Sequence, residues 1–176
     1  MAAVCLAVLA CRLVLAEVDE LNTAMVLGTF KISDSKTNGT AFILNRPAPD
    51  DPKKTQAVLV TARHVLSGMQ GDEATVFLRK KIAEGQYEKT PLKFKIRQGD
   101  KKLWTEHPTE DVAVIPISLP QETEHPNLPL ELLASDESLK TLGIHPGTAI
   151  RCAGYPHAGQ FEASPAGFPM VRIGCI

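Results

Sequence analysis

Apolar and polar positions alternate along most of this chain with a period of two. In Leu92-Lys-Phe-Lys-Ile-Arg97, Leu92, Phe94 and Ile96 point one way and Lys93, Lys95 and Arg97 the other, as a strand with one buried face requires. Ala74, Val76 and Leu78 alternate with Glu73, Thr75 and Arg79 in the same manner. Residues 24–32, 39–45, 56–62, 111–117, 148–154 and 169–175 are further strand segments rich in β-branched residues. Between them, 34–39, 46–52 and 98–100 carry the Gly, Pro, Asp and Asn of turns and loops. Helix is confined to two short pieces. One is a single turn after His64, ended by Gly68; the other runs from Ser135 to Leu142, with Ser135 or Asp136 as N-cap, Leu139 and Leu142 on one face, and Gly143 closing it.

Short strands at this spacing predict an all-β barrel or sandwich. Residues 119–129, proline-rich and polar, suit neither strand nor helix and read as a linker. The segment 24–118 before it holds enough strands to close a small barrel, whereas 130–176 holds too few and reads as an incomplete second unit.

Composition narrows the function classes. The chain has 176 residues, 44% hydrophobic and 22% charged, with a net charge of −1. No basic face forms, which argues against nucleic acid as a partner. Arg79-Lys80-Lys81 and Lys101-Lys102 read as solvated strand ends and turns. Residues 1–16 are apolar except for Arg12, and Val14-Leu-Ala16 before Glu17 has the small-x-small form of a signal-peptidase site. The apolar run is too short for a stable membrane span, so the expectation is a signal peptide and a secreted or periplasmic protein. Two alternatives stand beside it: Val8-Leu-Ala-Cys11 loosely resembles a lipoprotein box that would leave a lipidated Cys11, or residues 4–15 pack as an apolar helix on the body. Cys5 and Cys11 fall within this segment, leaving Cys152 and Cys175 either to bridge or to stay as buried free thiols. No Cys-x-x-Cys or paired-histidine spacing supports a metal, and no cofactor is expected.

Candidate chemistry lies in two places. Ala57-Val-Leu-Val-Thr-Ala-Arg-His64 is a buried-type strand that ends on a histidine. Glu110-Asp111-Val-Ala-Val-Ile-Pro-Ile117 opens a second apolar strand with an aspartate, 47 positions after that histidine. Separately, a histidine after a strand is usually a cap or core residue, and an aspartate before one a turn residue. Jointly, Thr61-Ala-x-His64 and Asp111-Val-Ala113 resemble the histidine and aspartate signatures of trypsin-like serine peptidases. Gly39-Thr-Ala-Phe-Ile-Leu-Asn45 and Gly147-Thr-Ala-Ile-Arg-Cys-Ala-Gly-Tyr-Pro156 resemble strands of the bacterial, HtrA-type members, with Gly154 and Pro156 in a turn and not in a site. Arg63, where small residues are common, and Val65, where vertebrate members place a cysteine, depart from the pattern.

The resemblance implies a double β-barrel, the first complete and the second incomplete, and hydrolysis of peptide or protein substrates. It implies His64 as general base and acid and Asp111 as a buried carboxylate that orients it. The nucleophile would fall about 93 residues after the aspartate, near position ~204. None of Ser33, Ser35, Ser67, Ser118, Ser135, Ser138 and Ser164 has the Gly-x-Ser-Gly frame. The expectation is therefore a peptidase segment without its nucleophile and inactive alone, or else a non-catalytic peptide- or protein-binding module of the same fold. His107, His125, His145 and His157 adjoin prolines and read as loop residues. Trp104, seven residues before Asp111, reads as a packing anchor at the barrel rim. N-terminal sequencing of exported protein should begin at Glu17; a retained Met1 in a cytosolic fraction would overturn the export reading.

Overall fold

The computed structural model describes residues 21–126, 128, 130–156 and 161–176. The expected signal segment 1–16, with Cys5 and Cys11, and His157 lie outside the described residues. The protein is mostly β and its sheets are antiparallel.

A helical segment, α1 (residues 21–28), leads into β1 (Thr29–Ser33), β2 (Asn38–Pro47) and β3 (Thr55–Thr61). After the short helix α2 (Arg63–Gly68) come β4 (Glu73–Ala83) and β5 (Gln86–Lys95), a long hairpin turned at Gly85, whose φ of 67° needs glycine. Four short strands follow: β6 (Arg97–Gln98), β7 (Lys101–Lys102), β8 (Thr105–Glu106) and β9 (Ala113–Pro116). A 3₁₀ turn at Leu130–Leu132, α3 (Asp136–Thr141), β10 (Ala149–Gly154) and β11 (Met170–Cys175) complete the chain. The main sheet has the order β5-β4-β1-β2-β3-β9-β8; β6-β7 and β10-β11 pair separately.

The period-two reading holds where one face is buried. Ala74, Val76 and Leu78 enter the core, as does Ile96 beyond the end of β5, with Leu92 and Phe94 packed against it. Phe30, Ile32, Ile43 and Leu59 fill the same core, and Val65, Leu66 and Met69 lie over it. Ile96 leaves β5 and Trp104 leads into β8, the other end of the sheet, yet both sit in this one core. With only α2 as cover, the sheet must curl on itself to bury these residues. It does not close: among the described residues no ladder joins β5 to β8. Of the complete first barrel expected from the sequence, the described residues show a seven-stranded antiparallel sheet without a closing ladder.

Several local expectations change. Residues 24–28 are helical rather than strand. Gly28 ends that helix against Leu128 and Pro126, where a Cβ would come within 2.7 Å of Leu128 Cδ1. Arg79 is not solvated but fully buried. Its Nη2 donates to the carbonyls of Val26 (3.1 Å), Leu27 (2.7 Å) and Thr29 (2.9 Å), and its Nη1 to Gly167 (3.0 Å). The guanidinium lies between the rings of Phe30 and Phe168, 4.6 and 4.8 Å from their centroids. Burial lowers its pKa, and the adjacent Tyr155 hydroxyl opposes that shift. The carbonyls left over at the end of α1 thus find their donor on β4, about fifty residues away.

Arg97, expected to face solvent, likewise donates to the carbonyls of Leu66 (3.1 Å), Met69 (2.7 Å) and Gly71 (2.8 Å) at the end of α2. It stacks over Trp104, which is buried as a packing anchor and donates its Nε1–H to Glu106.

In the last third, Ser135 caps α3 as read, with Ser138 answering in a capping box, and Gly143 follows at φ 63°. The apolar side of α3 is uncovered, however, since Leu139 and Leu142 are exposed. Every residue of β11 is exposed. Cys152 and Cys175 are free and exposed, neither bridged nor buried. The register sets Cys152 opposite Arg172 and Cys175 opposite Ala149. Three ladder positions separate the two cysteines, which puts their Cα atoms beyond disulfide reach.

Arg79→Met should destabilise the fold by at least about 3 kcal/mol, because several buried carbonyls lose their donor together. Arg79→Lys should fall between the two. Urea midpoints measure this; a loss under about 1 kcal/mol would mean that water replaces the guanidinium.

Candidate functional site

The sheet register brings the two sequence-predicted site residues together. β3 and β9 pair antiparallel with Thr61 opposite Ala113. His64 lies three residues beyond that pair on the outgoing strand, and Asp111 two residues before it on the incoming one. Both strands therefore deliver their residue to the same end of the sheet. Asp111 sits in the loop of the β8–β9 hairpin, which pairs Glu106 with Ala113 and is closed by the His107 N–H bonding the Val112 carbonyl at 2.9 Å.

The histidine is placed by close packing. α2 rides directly over Gly39, where a Cβ would approach both Val65 methyl groups at 2.7 Å. Only glycine permits this seat, which gives Gly39-Thr-Ala-Phe a physical role. Ala62, the N-cap residue of α2, offers no side-chain acceptor, and Asp111 supplies one from across the sheet. The His64 N–H donates to Asp111 Oδ1 at 2.9 Å, and the Arg63 N–H to the Asp111 carbonyl at 3.3 Å. The second carboxylate oxygen faces the ring, with His64 Nδ1 to Asp111 Oδ2 at 2.5 Å.

Asp111 is thus a helix cap and a ring partner at once. The His64 ring bond, then the His64 backbone N–H, holds its pKa below the ordinary aspartate value, and Arg63 adds a smaller pull. Because the carboxylate takes Nδ1, the proton-accepting position of the neutral ring is Nε2, which has no partner among the described residues. The family resemblance implies a buried carboxylate; here the side chains of His64 and Asp111 are 73% and 49% exposed. The pair is oriented but wet.

Beside Asp111 runs an apolar groove of about 670 Å³. It exists because β2, β3 and β9 are apolar on both faces: Ala41, Ile43, Leu59, Ala113 and Ile115 enter the core, while Leu44, Val58 and Val60, with Phe42 and Val114, form a second cluster behind it. Leu130 and Leu133 make the far wall, and Asp111 and Arg46 are the charged groups on its lining. A continuous apolar strand such as Ala57-Val-Leu-Val signals two covered faces.

The serines do not join this pair. Ser135 and Ser138 are engaged in the α3 cap, and Ser164 Oγ is buried without a partner. No hydrogen bond links a serine to the His64 ring among the described residues. No group of three or more His, Cys, Asp or Glu side chains is placed to hold a metal, and no helix is long and apolar enough to cross a membrane, among those residues. Family models, curated proteins and solved structures gave no match to the chain.

Asp111 should also leave a mark on acid stability. Its folded-state pKa is depressed, so its contribution is present above the ordinary aspartate value, about 3.9, and is lost as the pH falls through the lowered value. Asp111→Asn should remove that component. Urea midpoints between about pH 6 and pH 2 should then fall less steeply for the variant than for the wild type, and identical slopes would show that the carboxylate bonds are not maintained in solution.

Proposed function

We propose that this chain carries the histidine–aspartate half of an exported, trypsin-like serine endopeptidase of bacterial type, acting on peptide or protein substrates. The observation that carries the reading is the Asp111 carboxylate held on His64 Nδ1, which leaves Nε2 without a partner among the described residues, while Asp111 also lines an apolar groove. In such a triad the carboxylate fixes the tautomer and stabilises the imidazolium, so that Nε2 takes a proton from a serine hydroxyl and returns it to the leaving amine. Here His64 is the base and acid, and Asp111 orients it.

The nucleophile and oxyanion donors would come from polypeptide outside residues 1–176, completing a second barrel around β10 and β11. The exposure of that hairpin supports this, since every residue of β11 and the first four of β10 are exposed, with Val171 and Ile173 at 45% and 75%. A two-stranded hairpin is marginal unless something packs on it. The wetness of the His64–Asp111 pair fits the same view, because a covering unit would desolvate and strengthen the bond. A second reading, a peptide-binding module of the same fold that lacks the serine, is favoured by the observation that no serine bonds the His64 ring among the described residues.

A fluorophosphonate probe should leave the 176-residue chain unlabelled. A longer product of the same reading frame should be labelled and should cleave peptides. In that longer protein His64→Ala should lower kcat by roughly 10⁴–10⁶, and Asp111→Asn by about 10⁴ through loss of the correct tautomer. A longer product with no reactive serine would decide for the binding module, and His64-dependent labelling of the short chain would mean that one of its own serines is the nucleophile.

A further inference from the structure

We propose that His107 is a positioning residue for the His64–Asp111 pair, acting as an uncharged hydrogen-bond acceptor that shapes the loop carrying Asp111. The β8–β9 loop is only His107-Pro-Thr-Glu-Asp111-Val112. Its first residue folds back on it: His107 Nδ1 accepts the Glu110 N–H at 3.0 Å and the Thr109 N–H at 3.4 Å, while the Thr109 hydroxyl donates to Glu110 Oε1 at 3.2 Å. The backbone N–H of the same residue closes the loop on the Val112 carbonyl.

The ring therefore does what an aspartate or asparagine side chain does in an Asx-turn, collecting the N–H groups two and three residues ahead. The Glu110 N–H belongs to the Thr109–Glu110 peptide unit, one residue before Asp111, and the His107 N–H bond to the Val112 carbonyl holds the chain one residue after it. With the backbone held on both sides, the Asp111 side chain is directed out of the loop towards the first turn of α2. Two donors converge on Nδ1, so this role needs the neutral ring with its proton on Nε2. Proline at 108 removes a backbone donor and stiffens the corner, leaving the His107 ring to organise the remaining N–H groups.

The bearing of this on catalysis rests on the peptidase reading; the placement of Asp111 does not, and the test uses no turnover. In the 176-residue chain at about pH 8, where an ordinary histidine is neutral, NMR follows the His64 Nδ1–H signal, the Glu110 amide and core amides such as those of Leu59 and Val76. His107→Ala should lose the His64 Nδ1–H signal and speed Glu110 amide exchange roughly fivefold or more, with the core amides unchanged. His107→Asn, which keeps an acceptor at the right reach, should restore both. The idea fails if the Ala variant keeps both signals, or if Asn does not recover what Ala loses. Should the Ala variant not fold, the nitrogen shifts of His107 in the wild type decide by themselves: a proton on Nδ1 is incompatible with the role, and a bare Nδ1 coupled to the Glu110 amide establishes it. A longer protein without peptidase activity would sink the functional reading and leave these signals as they are.

Discussion

Guanidinium groups that collect backbone carbonyls, Arg79 fully buried and Arg97 half-buried, hold this fold together. A curled sheet buries its own side chains but offers no hydrogen bonds to the ends of helices laid against it, and each helix end carries carbonyls without partners. Arg79 meets that need for α1 from β4, and Arg97 for α2 from β6. Arg79 does more than cap. Through the Gly167 carbonyl, Tyr155 and the Phe168 ring it draws the region around β10 and β11 onto the body of the sheet. Tyr155 is buried in the same cluster, donates to the Gly167 carbonyl at 2.7 Å, and has its pKa raised by that burial. The charge is tolerated because carbonyl dipoles and aromatic faces surround it in place of water.

The second constraint is the register between β3 and β9. A slip of one residue would turn Ala113 and Ile115 outward and carry Asp111 away from α2. The apolar residues that specify the register are therefore also the ones that place the candidate site. Gly39 adds the last condition by letting α2 settle close enough for Asp111 to reach both the His64 amide and its ring. A site built in this way needs little from its own side chains beyond their chemistry.

What could be read in the sequence followed from local pattern. The alternation of Leu92, Phe94 and Ile96, the Ser135 cap and the strand-ending His64 each depend on neighbours a few positions away. The segment 24–28 misled because its apolar, β-branched composition suits a strand, while the donor that stabilises its helical end lies on β4. Arg79 and Arg97 misled for the matching reason: a cation in an alternating strand looks solvated until the carbonyls that receive it are known. His107 was passed over beside Pro108 because its partners are backbone N–H groups, which carry no sequence signature. The open edge between β5 and β8 depends on curvature, which the period of two does not encode.

The double use of the Asp111 carboxylate has a consequence for how the site can be observed. One oxygen caps α2 and the other holds the ring, so the alignment of the imidazole and the integrity of the first helical turn rise and fall together. The His64 amide therefore reports on its own ring. Its exchange with deuterated solvent slows only while the carboxylate is in place, and any ligand that tightens the pair would deepen that protection. The condition of the site thus becomes readable from a single backbone proton, with no substrate present.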